Sequence, residues 1–337
     1  MLNLARLFAL AGIASMASAT ARAQDLLLNS FLPPQHEFNT KVYKPWAQDV
    51  EKATQGRVRI KFSPTSVGSP QQQWDIVRKH IVDGAFIFNG LVQNQVPLEQ
   101  IAHLPLGSTT AKGMSVALWR THQKYFEAAH EYNDVQLLAL FAFPSGQIFS
   151  MKEPLQSAAA MSGVKMWAGP GVPAKLAEDM HAAVVATPAA TMTSLIAGGT
   201  VDGYMGIPVM DAVQFNVVRY AKSETYVPGG VNAPSFSLFV NKASWESISS
   251  ADRETIAKLS GEAFGERLAV LDQTNETAAA KAAAGGMTLL QASPAFVAQI
   301  GEIAAGMDAQ WIAAAAKLNV DGKAALGYYR SEAKAAR

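Results

Sequence analysis

Apolar and polar residues alternate along the first half of the chain in a strand–helix–strand order. Asp25 to Phe31 is a short apolar strand that stops at Pro33-Pro34. Asn39 or Thr40 can cap a helix running to Thr54, with Val42, Trp46 and Val50 at helical spacing on one face. Arg57 to Phe62 then alternates in strand period through Val58, Ile60 and Phe62. A loop ending at Pro70 opens the next helix, through Trp74, Val77 and Ile81 to Asp83-Gly84. Ala85 to Phe88 follows as a continuous apolar run between glycines, the pattern of a strand buried on both faces. This βαβ series predicts a parallel sheet covered by helices.

The pattern restarts further on. Val135 to Phe143 reads as a strand ending at Pro144, and Val164 to Ala168 begins a second series. That series continues with a helix over 173–180, a strand near Val184, a helix over 189–197 and a strand over 201–204. Phe236 to Val240 is a further strand, and from Ser250 onward the sequence is Ala-rich and helical. Two α/β series with no Gly/Ser linker between them predict two lobes sharing crossing strands. The expected boundaries are 24–146 with 232–270 for lobe I, and 147–231 with 271–337 for lobe II.

The N-terminus fixes the expected compartment. Arg6 precedes a short apolar run over 7–19, Ala21-Arg22-Ala23 has the small-x-small form of a signal-peptidase site, and no acidic residue occurs before Asp25. Residues 1–23 are therefore read as an export signal leading to the periplasm, too short to span a bilayer stably. Its removal takes away two arginines, leaving 26 Lys and Arg against 27 Asp and Glu, a net charge of −1. A nucleic-acid binder would carry an excess of clustered cations, so none is expected as partner. The absence of cysteine excludes thiol nucleophiles, thiolate zinc sites and disulfides, so about 310 mature residues must be held together by burial alone.

Catalytic signatures are missing. Ser145-Gly146 after Pro144 lacks the first glycine of a nucleophile elbow, and the six histidines form no His-x-x-x-His pair. Gly169-Pro170-Gly171 carries a proline where a phosphate cradle needs free N–H groups. No cofactor or metal is expected.

Short landmarks in a definite order carry a resemblance. They are Pro33-Pro34-x-His36, Glu51-Lys52-Ala53-Thr54 with Gly56-Arg57-Val58, Val67-Gly68, and Asp83-Gly84-Ala85. Leu104-Pro105-Leu106, Lys152-x-Pro154-Leu155, Gly163-Val164-Lys165, Thr200-Val201-Asp202-Gly203 and Val240-Asn241-Lys242 follow. With these the chain resembles the periplasmic substrate-binding subunits of tripartite ATP-independent periplasmic (TRAP) transporters over nearly its whole mature length. The resemblance implies an α/β, two-lobed periplasmic binding protein fold, type II-like, with a long helix bridging the lobes. It implies a monomeric receptor, not an enzyme, that closes on a small organic ligand and hands it to integral-membrane transporter subunits. A binding protein for an ABC importer or a sensor is an alternative, and an exported α/β enzyme another.

The family pattern is broken where the ligand would sit. A strand arginine that pairs with the substrate carboxylate in that family is replaced by Trp167, and a second arginine position falls at Gly146 and Gln147. An expected asparagine is Gly206, and an expected aromatic is Ala189. Together these changes point away from the usual aliphatic acid and toward an aromatic or less acidic ligand stacked on Trp167. Strand-end positions add Phe31, His36, Asn89, Tyr204 and Phe236 as candidate contacts.

Overall fold

A computed structural model describes residues 23–336. The expected export signal lies, apart from Ala23, outside the described residues.

The chain forms two mixed sheets. The first contains β1 (Gln24–Asn29), β2 (Val58–Phe62), β3 (Gly84–Phe88), β4 (Gln136–Ala142) and β10 (Ser235–Val240) in the order β2-β1-β3-β10-β4. The second contains β5 (Gln147–Ser150), β6 (Lys165–Ala168), β7 (Ala183–Ala186), β8 (Gly203–Ile207), β9 (Ser223–Tyr226) and β11 (Thr288–Gln291), in the order β11-β9-β5-β8-β6-β7. Helices pack against both sheets.

Neither sheet is wholly parallel. In the first, β10 runs antiparallel to β3 and β4; in the second, β5 runs antiparallel to β8 and β9. The cause is connectivity. The chain leaves the first sheet at the end of β4, builds most of the second, and returns at the same end, so β10 must run back the other way. The two crossing segments pair where they pass: the Phe143 N–H donates to Pro234 O (2.8 Å) and the Gly146 N–H to Asn232 O (2.9 Å).

A third connection is helical. The run Ser250–Leu259, Gly261–Glu266 and Ala269–Ala284 spans both sheets. Its middle piece packs on the helix Ala111–Thr121 and on β4, and its last piece on the helix Val209–Gln214 beside the second sheet. From that last piece Asp272 Oδ1 accepts from the Ala111 N–H (2.7 Å), and Asn275 Oδ1 accepts from the Met210 N–H (3.1 Å). One helix thus satisfies donors at the starts of two others, one in each lobe.

Burial follows the periodicities closely. Val42, Trp46 and Val50 are fully buried, as are Ala85, Phe86 and Ile87. Three local expectations differ. The helix entered near Asn39 has no side-chain cap; instead Asn39 is buried inside it, donating to Pro33 O and accepting from Ser30. The helix through Trp74 ends at Arg78, where His80 turns left-handed (φ 56°), so Ile81 is exposed. The C-terminal helix Gly322–Ala335 packs mainly on Ala111–Thr121, on the side of the first sheet rather than the second.

Candidate ligand-binding site

Between the two sheets lies a cavity of about 420 Å³, toward the compact end of the ~300–1,000 Å³ usual for small-molecule pockets. It is walled by the loops at the C-terminal ends of the parallel strands, where open α/β sheets bind ligands. Phe31 to Pro34 follow β1, Thr65 and Ser66 follow β2, and Phe88 and Leu91 stand at and after the end of β3. Phe143 follows β4, and Pro234 and Phe236 come in with β10. The other lobe contributes Trp167, Gly169 and Pro170 at β6, Gly206 and Ile207 at β8, Pro188 to Ala190 before and within the helix Ala189–Ala197, and Asp211 and Phe215 beyond β8.

Six aromatic residues therefore reach the cavity: Phe31, Phe88, Phe143, Trp167, Phe215 and Phe236. Their packing continues into the core, with Phe143 and Phe236 centroids 4.5 Å apart, Phe31 and Phe86 4.8 Å apart, and Phe38 stacked on Phe141 at 4.9 Å. A wall anchored in this way is held rigidly, because moving one ring requires repacking several. Trp167 is almost wholly buried and its indole N–H donates to Thr187 Oγ1 (2.9 Å), so it presents ring rather than donor. Among the described residues no lysine or arginine lines the cavity, and Asp211 is the charged residue that does. The helix Ala189–Ala197 starts at the wall without a side-chain cap, so the positive end of its dipole lies beside the cavity.

Five of the nine candidate residues, Phe31, Trp167, Ala189, Gly206 and Phe236, line the cavity, and four do not. Asn89 sits behind the wall, its Nδ2 donating to Ser235 Oγ (3.0 Å) and its Oδ1 accepting from Ser237 Oγ (2.6 Å). A polar residue between Phe88 and Gly90 does need partners, but these are protein groups. His103 belongs to the same cluster: its Nε2 accepts from the Ser235 N–H (3.1 Å), and burial pushes its pKa down to about 3. Gln147 ties the crossing segments, accepting from the Val227 N–H (2.7 Å) and donating to Ser145 Oγ (2.9 Å). Tyr204 is buried and stacks on Phe149 (4.6 Å) with the neighbouring Glu224 carboxyl, away from the cavity that Gly206 and Ile207 reach. His36 is fully buried, with Nε2 3.3 Å from Asp211 Oδ1. It is one layer behind the surface a ligand would touch.

Gly206 stands near Trp167 on the neighbouring strand, and glycine is required there by the backbone. Its φ is +88°, and a Cβ there would lie 2.7 Å from Pro173 Cβ. Among the lining residues that sequence reading missed are Phe88, Phe143 and Phe215, the prolines and Asp211. Phe88 and Phe143 were within reach, since each stands at a strand end already assigned. Asp211 was not: only the pairing of the lobes brings it to this wall.

Two lobes, crossing strands and a strand-end cavity define a solute receptor of the periplasmic binding protein kind. The sequence profile described as "Bacterial extracellular solute-binding protein, family 7" matches residues 28–312, and the chain belongs to that family, the solute-binding proteins of TRAP transporters. It is 41% identical over 333 residues to the outer membrane transporter protein TsaT of Comamonas testosteroni, covering 98% of each chain. Among solved structures it is similar to a TRAP periplasmic solute-binding protein of Bordetella bronchiseptica with (R)- and (S)-mandelate bound. There the TM-score is 0.88 and the identity 31%, over 92% of this chain and 99% of the other. A marine metagenome TRAP solute-binding protein specific for aromatic acids, in complex with meta-hydroxyphenylacetate, gives a TM-score of 0.85 at 25% identity, over 93% and 99%. The protein is a TRAP solute receptor that captures a small organic molecule for the membrane subunits. Among the described residues no helix is long and apolar enough to cross a membrane.

Proposed function

We propose that this receptor takes a compact, single-ring aromatic molecule, held by closure of the lobes and released to the transporter with its covalent bonds unchanged. The observation that carries the reading is the cavity wall, which among the described residues has six aromatic residues and no cationic side chain. A short dicarboxylate would bring two charges into this space with no guanidinium to meet either, at a cost of several kcal/mol. A ring instead gains about 0.5–1.5 kcal/mol for each well-placed aromatic contact beyond its buried area. One acidic group on the ring could be met by the uncapped N–H groups of the helix Ala189–Ala197. The ligands named for the Bordetella and marine relatives, mandelate and meta-hydroxyphenylacetate, are of this class.

In this reading Phe31, Trp167, Ala189, Gly206 and Phe236 touch ligand, while Asn89, Gln147, Tyr204 and His36 position the wall. The lobes comprise 24–146 with 232–270, and 147–231 with 271–321, the C-terminal helix resting on the first. Export to the periplasm follows from cleavage after Ala23. Isothermal titration of the mature chain with mandelate, phenylacetate and succinate tests the ligand class. The aromatic acids are expected to bind at least tenfold more tightly than succinate; binding of succinate alone would overturn the reading.

A further inference from the structure

We propose that Asp211 selects ligands that carry a hydroxyl group, by accepting a hydrogen bond from it inside the cavity. This rests on the aromatic reading and narrows it to hydroxylated aromatic compounds.

Asp211 is the third residue of the helix Val209–Gln214, where its own N–H donates to Pro208 O (3.1 Å). Its carboxylate reaches the cavity wall although the residue is only 6% exposed. Among the described residues His36 Nε2, 3.3 Å from Oδ1, is the one donor facing that carboxylate, and no hydrogen bond reaches Oδ2. Oδ1 is buried and turned to His36, so the oxygen left for a ligand is Oδ2. Buried carboxylates normally receive two or more donors, so Oδ2, at the cavity wall, is an acceptor with room for one.

The surroundings hold it in that condition. The Phe38 N–H donates to His36 Nδ1 (3.2 Å), which leaves the ring proton on Nε2, facing Asp211. The His36 ring lies against Phe143 and Phe215, each with its centroid 6.0 Å away, so the imidazole is clamped behind the carboxylate. Because His36 is fully buried, a ligand meets Asp211 and not the histidine. The other polar side chains on the wall, Thr65 and Ser66, belong to the opposite lobe and are solvent-exposed.

A hydroxyl on the ligand would give this carboxylate a second donor, from the cavity side. An analogue without a donor leaves the acceptor bare, which sites of this kind penalise heavily. Like charges repel, so an acidic group on the same ligand must occupy the end away from Asp211.

The test is titration calorimetry of the mature chain with phenylacetate, its three ring-hydroxylated isomers and mandelate, repeated with Asp211→Ala. At least one hydroxylated compound is expected to bind the wild type about 10- to 100-fold more tightly than phenylacetate. In Asp211→Ala the ratio of affinities between that compound and phenylacetate should fall to within about threefold. If Asp211→Ala does not fold by circular dichroism, Asp211→Asn, which keeps the shape and loses the charge, is expected to reduce the same ratio. Wild-type affinities for all five compounds within about threefold of one another would overturn the proposal and leave the aromatic reading standing. A preference that survives Asp211→Ala undiminished would place the recognised donor elsewhere and also overturn it. Failure of every aromatic compound while succinate binds would remove the aromatic reading itself.

Discussion

At Gly206 the end of β8 passes through φ +88° with Pro173 packed against it, so the position tolerates no side chain without strain. Gly206→Ala is expected to destabilise the fold by about 1–3 kcal/mol in urea denaturation and to weaken ligand binding, since the β8 loop forms one wall. Glu224 tests a different property. Burial pushes its carboxyl up to about 7 from 4.5. Between those values the folded chain keeps a proton that the unfolded chain releases. Its stabilising contribution is therefore complete below about pH 4.5 and is lost as pH rises through 7, on the order of 3 kcal/mol in all. The difference in melting temperature between wild type and Glu224→Gln, followed from pH 5 to 8, should grow in favour of the variant. A constant difference would show that Glu224 is not protonated in the fold. Neither feature is visible in the sequence, where Gly206 reads as lost side-chain volume and Glu224 as an ordinary strand residue.

Among the elements, the bridging helix Ala269–Ala284 has the most direct link to the site. Asn275 accepts from Met210, next to Asp211 on the cavity wall, while Asp272 accepts from Ala111 and Lys112 in the other lobe. Removing either acceptor leaves a helix N-terminus unsatisfied, so Asn275→Ala and Asp272→Ala should each cost about 1 kcal/mol in denaturant titration. Only Asn275→Ala should also weaken ligand binding, because the helix it caps carries Asp211. Elements with long apolar runs were legible in sequence: β1, β3, β4 and β10 all sit near their predicted positions. The strands β5, β9 and β11 were not. Each has four residues, two of them carry two polar side chains apiece, and their pairing partners lie far away in sequence. Local pattern cannot reveal a strand defined by a distant neighbour.

For the whole molecule, two sheets joined by two crossing segments and one helix make a hinge, with the cavity between its halves. Ligand that binds only the folded, closed form should raise the melting temperature with the logarithm of its concentration, adding about 2.7 kcal/mol at one hundred times the dissociation constant. Small-angle scattering should show a smaller radius of gyration in the bound form. An unchanged radius with a raised melting temperature would mean that the lobes are already closed without ligand.

The order of apolar runs and turn residues determined two α/β series, and composition determined the absence of cysteine chemistry. That Trp167 and Gly146-Gln147 stand where arginines are expected is what the resemblance to the TRAP family implied. Tertiary structure alone decided that β10 and β5 run antiparallel, that Asn89 and His36 stand behind the wall, and that Phe215 and Asp211 stand in it. Those outcomes depend on how the chain crosses twice between sheets, which brings together residues more than a hundred positions apart. No local spacing encodes that distance.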